Sequence, residues 1–392
     1  MQHTISASQM RNKELCKLNK SERKINLLIA VAGLNIGGAE VVIRDLVRTI
    51  DRARFNVTVC CIKVCGVIGD ELLREGVDIV TLSNSAEPKV DYFTFIKLLR
   101  VLRQKRIDLV HTHTADALAD AAVCKLLIPK LKLIHTFHFG NYPNLRWRQM
   151  WIEKVFSRFA NRLVAVGEVQ RQQIKEVFRL KEKKIKRVWN GIFPGVAQGD
   201  GVFRSRVGAE NCILVGTIAT LIEQKGLFDL LLVAREFQDV RNRVRFVIVG
   251  DGHLRKELEA KKRELGLDNT VVFAGWVMNG AEVALPAFDV FFQPSLWEAM
   301  SIVILEAMAA GKPIVATRVG ENNHIIDDGV DGLLVEPKDI KGMVTALTRL
   351  IDDSDLRCRL GSAASRKVAQ QFTVERMTRA YEDIYLKTLN RQ

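Results

Sequence analysis

The sequence predicts an α/β protein of two doubly wound, parallel-sheet domains, from its length, its alternation of β-branched runs with helical stretches, and one break in that alternation. At 392 residues the chain exceeds what a single hydrophobic core supports, so two domains of about 150–200 residues are expected. Short apolar runs recur at Ile25–Ala32, Phe55–Lys63, Val77–Leu82, Leu109–Thr112, Lys132–Thr136, Leu163–Val166 and Ile185–Trp189, each followed by a helical stretch. Strands so spaced and so continuously apolar belong to a parallel sheet covered on both faces. A glycine-rich stretch from Asn190 to Gly208 interrupts the pattern. It then restarts with Cys212–Ile218, Arg245–Val249, Val271–Phe273, Val290–Gln293, Pro313–Ala316 and Gly332–Val335. The expected organisation is a basic arm over 1–24, an N-terminal domain over 25–195, a C-terminal domain over 196–372, and a last helix over 373–392. That helix is free to pack on either domain.

Composition narrows the class. The chain is 48% hydrophobic and 27% charged with 8 Pro, as a folded protein is. Its apolar runs stop near ten residues, short of the ~20 that span a bilayer, and residues 1–24 lack a secretory apolar region. Seven cysteines without a Cys-x2-Cys pair fit neither a disulfide framework nor a zinc site, and are expected to be reduced, buried thiols of a cytoplasmic protein. The net charge of +14 is lopsided: residues 1–200 carry 34 Lys and Arg against 19 Asp and Glu, and residues 201–392 carry 25 against 26. The first half is expected to face something anionic, whether a phosphate-bearing substrate, a membrane surface or nucleic acid.

In open α/β sheets ligands gather at the carboxyl ends of strands, and the chemically suggestive residues fall there. After the first strand comes Gly33-Leu34-Asn35-Ile36-Gly37-Gly38-Ala39-Glu40, a glycine turn that brings backbone N–H groups and a helix N-terminus toward an anion. It is not G-x-G-x-x-G, and no acid is placed to hold a ribose, which disfavours a dinucleotide dehydrogenase. His111-Thr112-His113 and His135-Thr136-Phe137-His138 end two later strands. The outer pair, His113 and His138, is expected to reach the cleft and handle protons, and the inner pair to be satisfied within the sheet. No acidic ligand joins them at a metal spacing. The most specific segment is Pro294–Gly311, with Glu298 and Glu306 eight residues apart. With Glu298 in the loop and Glu306 inside the helix, the first reaches a sugar while the helix N-terminus binds diphosphate.

This segment resembles the E-x7-E signature of the retaining family-4 glycosyltransferases. The resemblance extends to Gly37-Gly38-Ala39-Glu40, Thr136-Phe137-His138, Trp189-Asn190-Gly191, Glu223-Gln224-Lys225-Gly226, Val249-Gly250-Asp251-Gly252 and Gly329–Val335. It implies the GT-B fold, two facing Rossmann-like domains with the donor held by the C-terminal one. It also implies transfer from a nucleotide-diphosphate sugar with retention, by same-face attack with the departing phosphate as base. By this similarity Lys225 contacts the donor diphosphate, Glu306 the ribose and Glu298 the sugar hydroxyls. The amides of Met300 and Ser301 lie near the phosphates, Gly37 and Gly38 close over them, Gly250 belongs to the donor site, and His138 faces the reaction centre. No cofactor or metal is expected, since a lysine and a helix dipole can neutralise a leaving diphosphate. Two departures stand out: Thr220 replaces an arginine five residues before Lys225, and Gly320-Glu321-Asn322-Asn323-His324 replaces a Gly-Gly turn followed by Glu.

The basic N-terminal half is expected to receive the acceptor. Tyr142–Trp151 sets aromatics beside arginines, followed by Lys154, Phe156, Arg158 and Phe159, a composition suited to an anionic membrane interface. Trp147 and Trp151, four apart, equally fit the buried face of a core helix. The leading expectation is transfer from a UDP-sugar to a saccharide or lipid-linked saccharide in surface polysaccharide or lipopolysaccharide synthesis, on the inner face of the cell membrane. The alternatives are a nucleotide-sugar epimerase or soluble-disaccharide synthase of the same fold. A nucleic-acid-binding regulator is more distant, since no nucleic-acid-binding signature is present.

Overall fold

A computed structural model describes residues 23–83, 93–142, 144–195, 201–240 and 243–391. Most of the basic arm, with Arg11, Lys13, Lys17 and Lys20, lies outside the described residues, as do Pro143 of the aromatic-basic stretch and residues 196–200 beside the expected domain boundary.

The N-terminal sheet contains β1 (Ile25–Gly33), β2 (Phe55–Val64), β3 (Asp78–Thr81), β4 (Leu109–Thr112), β5 (Lys132–Phe137), β6 (Arg162–Ala165) and β7 (Ile185–Arg187), in the order β3-β2-β1-β4-β5-β6-β7. The C-terminal sheet contains β8 (Ile213–Ile218), β9 (Val244–Val249), β10 (Val271–Gly275), β11 (Val290–Gln293), β12 (Ile314–Thr317) and β13 (Leu333–Val335), in the order β10-β9-β8-β11-β12-β13. Every pairing is parallel. Leu27 of β1 is in register with Val57 on one side and Leu109 on the other, and residues 27–30 are fully buried. That is why β1 reads as an unbroken apolar run: both its faces pack under helices.

In each domain the strand order reverses beside the first strand, between β1 and β4 and between β8 and β11, and a crevice opens there at the carboxyl ends. The two sets of carboxyl-end loops meet. A Cβ on Gly38 would lie 3.7 Å from Ile302, and one on Gly140 would lie 2.5 Å from the carbonyl carbon of Glu298. Only glycine allows the loop after β5 to approach the loop after β11 so closely.

The last helix, Val374–Leu389, packs on the N-terminal domain against the helix Gly38–Thr49. Its buried Tyr385 hydroxyl lies 2.7 Å from His111 Nδ1, and Thr378 meets Thr49 at 2.5 Å. Backbone bonds from Ile192 N to Phe372 O and from Val374 N to Ile192 O, 2.9 and 3.0 Å, tie the crossing to the segment after β7. The amphipathic pattern of this helix shows an apolar face but not its mate, because many surfaces satisfy a stripe of Tyr and Met. The cysteines divide: Cys60, Cys61 and Cys124 are buried, whereas Cys65 and Cys212 are half-buried and Cys358 is exposed, unlike the uniformly buried thiols expected. Burial pushes the Cys60 and Cys124 thiols up to about 12, so both stay protonated.

Candidate active site

The site is built where β11 ends. Glu298 lies in the loop 294–301, ahead of the helix Ile302–Ala309, whose N-cap is Ser301. Four donors hold the Glu298 carboxylate. Lys225 Nζ, Gln293 Nε2 and Ser295 Oγ approach Oε1 at 2.6, 2.9 and 2.9 Å, and Gln224 Nε2 approaches Oε2 at 3.0 Å. The Lys225 and Glu298 side chains are only 18% and 5% exposed. Ser301 Oγ donates to Gln293 Oε1 at 3.1 Å and accepts from Ile304 N at 3.4 Å, so the cap and the carboxylate cradle share one network. A satisfied buried network of this kind is rigid, and it orients the ammonium.

In this arrangement three donors converge on Glu298 Oε1, Lys225 among them, and one on Oε2. The amides of Met300 and Ser301 make no backbone hydrogen bond among the described residues, which leaves them available to an anion beside the helix N-terminus. The buried Met300 packs across the domain boundary, its sulfur accepting from Asn190 N at 3.1 Å.

Glu306 is half-buried within the same helix, with no side-chain hydrogen bond among the described residues. Burial pushes its carboxyl up to about 7, against the pull of Arg44 and with repulsion from Asp45 and Glu282. Arg44 and Asp45 belong to the N-terminal domain and pair at 2.8 Å, so Glu306 feels charges from both sides of the crevice. A carboxyl so placed is stabilised by hydroxyl donors, which a ribose diol supplies.

At the opposite wall, Gly37 caps the helix Gly38–Thr49, and the Glu40 carboxylate folds back over it, where a Cβ on Gly37 would stand 2.4 Å away. His113 does not project as expected. It is 3% exposed and sits behind His138, with its Nδ1 2.8 Å from His138 Nε2. The His113 Nε2 is buried without a partner. Burial holds His138 down to about 4 and His113 well below the usual imidazole range, with the neighbouring histidines adding to the latter shift, so both rings are neutral near pH 7. His111 is satisfied within the sheet, between Tyr385 and Thr136 Oγ1, each at 2.7 Å. His135 accepts or donates one bond, to Thr112 at 2.9 Å, and its Nε2 is unpaired.

Gly250 has a reason of its own in the fold. Its φ is +131°, and a Cβ there would lie 2.0 Å from the Ala219 carbonyl oxygen. Thr220 is exposed beside that turn and contributes no charge.

Sequence reasoning missed Glu321. It is fully buried and crosses between the domains, accepting from Trp189 Nε1 at 2.7 Å and from Val169 N at 3.2 Å. Val169 lies in the first turn of the helix Glu168–Phe178, where a carboxylate is favoured. His324, the departure from the resemblance, is partly exposed, with its Nδ1 3.7 Å from Glu321. The legible signal was an acid directly after Gly320, in a loop that follows a buried strand. Gln224 and Gln293 gave no signal, since an amide's partners are set by packing.

Among the described residues no three His, Cys, Asp or Glu side chains converge as a metal site, and no helix is long and apolar enough to cross a membrane.

Comparison with known proteins places this arrangement. Residues 203–367 match the model of the glycosyl transferases group 1 family, and residues 36–194 match that of glycosyltransferase family 4. Together they take in more than four fifths of the chain. The chain belongs to the group 1, family 4 glycosyltransferases. It is 26% identical over 311 residues, 76% of this chain and 79% of the other, to the UDP-Gal:alpha-D-GlcNAc-diphosphoundecaprenol alpha-1,3-galactosyltransferase of Escherichia coli. It is 32% identical over 168 residues, 43% of this chain and 48% of the other, to the lipopolysaccharide core biosynthesis glycosyltransferase LpsE of Rhizobium meliloti. Its fold is that of Anabaena Alr3699/HepE in complex with UDP-glucose, with a TM-score of 0.82 at 20% identity, covering 93% of this chain and 100% of that one. The glycosyltransferase thus has the GT-B fold, its candidate donor site lying where the two sheets' carboxyl ends meet.

Proposed function

We propose that this glycosyltransferase moves a sugar from a UDP-sugar to a saccharide or lipid-linked saccharide acceptor, with retention at the anomeric carbon, in the assembly of a surface polysaccharide or glycolipid. The observation that carries the donor assignment is the Glu298-centred cradle: it presents Lys225 beside the open amides of an N-capped helix, with Glu306, which has no side-chain hydrogen bond among the described residues, in that helix's second turn. A diphosphate placed there meets one ammonium and a helix dipole, and the ribose meets a carboxyl. Glu298 is then a positioning residue for Lys225. His138, neutral and tied to His113, presents a hydrogen-bonding ring on the acceptor side without adding charge. Lys225 and the helix meet the charge of the leaving group, and no metal is assigned to the site. The choice of uridine, of a lipid-linked acceptor and of a surface-glycan product is supported by the relatives' names, which pair UDP-galactose with a diphosphoundecaprenol-linked sugar and lipopolysaccharide core with glycosyl transfer. The exposed Trp147 and Trp151, 81% and 58%, with exposed Arg146 and Arg148 around them, suit an interfacial contact that brings such an acceptor to the crevice.

The test is thermal unfolding with UDP, GDP, ADP and no nucleotide, on the wild type and on Glu306→Ala. At a hundred times Kd a nucleotide stabilises by about 2.7 kcal/mol. Stabilisation by UDP that the substitution removes is the expected result. A shift that persists unchanged in Glu306→Ala would place the nucleotide elsewhere.

A further inference from the structure

At the amino-end pole of the N-terminal sheet, away from the crevice, lies an open groove of about 600 Å³ between the turn after the helix Trp147–Phe156 and the turn after the helix Glu168–Phe178. Seven of its twelve lining residues are Lys or Arg, among them Lys125, Arg158, Arg162, Lys181, Lys183 and Lys184, and none is an acid. Among the described residues not one of these cations is in an ion pair. Instead several are pinned by neutral oxygens: Lys184 Nζ by the carbonyls of Arg158 (3.2 Å) and Ala160, Lys125 Nζ by the Asn161 side chain, and Arg162 Nη1 by the Asn161 carbonyl at 2.9 Å. Burial pushes Lys125 down to about 8, with Lys132 and Lys184 adding to the shift, as befits cations gathered without counter-charge.

A second observation shows which anion. On the helix Trp147–Phe156, which leads into the groove, Trp147, Trp151 and Lys154 follow one another at spacings of four and three and so lie along one stripe, and Arg158 follows in the turn beyond the helix end. The roll of that helix is fixed from the other side, where the buried Glu153 receives the Tyr142 hydroxyl and, at 3.0 Å, Gln149 Nε2. The tryptophans are thereby turned out to solvent. Phe159 of the groove lining is 37% exposed, and Leu126 and Leu127, which follow the lining residue Lys125 in the chain, are 61% and 51% exposed. Exposed indoles and leucines on the same flank as an unpaired polybasic groove match the two layers of a bilayer surface, apolar beneath and anionic above. Free phosphate needs only the cations and gives the aromatic stripe nothing to contact.

We propose that this groove seats the phosphate-bearing headgroup of an anionic phospholipid, with the stripe from Trp147 to Lys154 lying in the interfacial plane. This rests on the interfacial reading of the N-terminal domain and names its lipid chemistry. The helix runs antiparallel to β5, so its Trp147 end is at the crevice and its Arg158 end at the groove, about 15 Å apart at 1.5 Å per residue. A headgroup bound at one end holds the acceptor crevice at the membrane surface at the other.

The test is flotation with vesicles of phosphatidylcholine alone and of phosphatidylcholine mixed with phosphatidylglycerol. It uses the full chain, Lys181→Glu/Lys183→Glu, and a control with the same charge change in the other domain, Lys256→Glu/Lys341→Glu, all four lysines being exposed. Wild type and control are expected to float with the phosphatidylglycerol vesicles, with tryptophan emission shifting to the blue, and the groove variant to partition about ten-fold or more weakly. Equal loss in groove variant and control overturns the groove and leaves only diffuse charge. If inorganic phosphate stabilises the wild type but not the groove variant while flotation is equal for both, the site serves a free anion and the headgroup is overturned. Failure of the wild type to float overturns both the groove and the interfacial reading. UDP stabilisation, measured on the same samples, reports the donor site separately and shows that each variant is folded.

Discussion

Replacing Lys225 by Met removes the ammonium that lies 2.6 Å from Glu298 and leaves that carboxylate, 5% exposed, with only its three neutral donors, Gln224, Gln293 and Ser295. The lost bond is charge-assisted and largely desolvated. Such bonds contribute about 1.5–3 kcal/mol, and the three remaining donors keep the cost below the about 3–5 kcal/mol of an entirely uncompensated buried charge. At about 2 kcal/mol, and 2–4 °C per kcal/mol for a domain of this size, the unfolding midpoint of the empty protein should fall by about 4–8 °C. Glu298→Gln strands the ammonium instead and should destabilise comparably. The double variant should then be more stable than the sum of the singles by about 1.5 kcal/mol or more, because neither charge is left alone. The assay is thermal unfolding of the four proteins without nucleotide, followed by UDP titration calorimetry. Additive shifts would refute the pairing. If Lys225 also meets the diphosphate, Lys225→Met should weaken UDP by about 10- to 150-fold, and an unchanged Kd would refute that role while leaving the pairing intact.

Gly140→Ala places a Cβ 2.5 Å from the Glu298 carbonyl carbon and should force the domains apart, seen as a larger radius of gyration by small-angle scattering and a loss of turnover; an unchanged radius would show that the loops do not meet in solution. Glu321→Ala removes the two bonds that cross from β12's loop to Trp189 and Val169, and should cost about 1–3 kcal/mol and raise protease sensitivity of the segment after β7; Glu321→Gln, which keeps an acceptor, should recover part of it. Stability should fall as pH drops from about 6.5 toward 4. His111, His113, His135 and His138 are all held below the usual imidazole range in the fold, so these four sites bind more protons in the unfolded chain throughout that window, outnumbering Glu306, whose carboxyl at about 7 acts the other way; flat thermal midpoints from pH 7 to 4.5 would contradict their burial as neutral rings.

Thirteen strands were legible from the sequence because each leaves a short apolar run, unbroken where both faces are buried as at Leu27–Ile29, a signal carried by neighbouring residues alone. The placement of Glu298 in a loop and Glu306 within a helix was legible for a similar reason: Ser301 precedes an apolar run that Gly311 closes. What Glu298 does was not. Four donors from two separate segments, 224–225 and 293–295, converge on it, and no spacing along the chain encodes that Gln224 and Gln293 become neighbours. His113 shows the same limit, since its strand-end position suggested exposure and the loop carrying His138 covers it.

The sequence by itself determined the layering, the two-fold repetition of the parallel sheet and the family of the chain, because these follow from periodicity and from short contiguous motifs. Only the tertiary structure decided that the last helix returns to the first domain, that Glu321 joins the two domains, and that seven cations drawn from three segments line one groove with no ion pair among the described residues. Those are contacts between residues tens to hundreds of positions apart, and the packing that selects them depends on shape and burial, which a linear order of residue types does not contain.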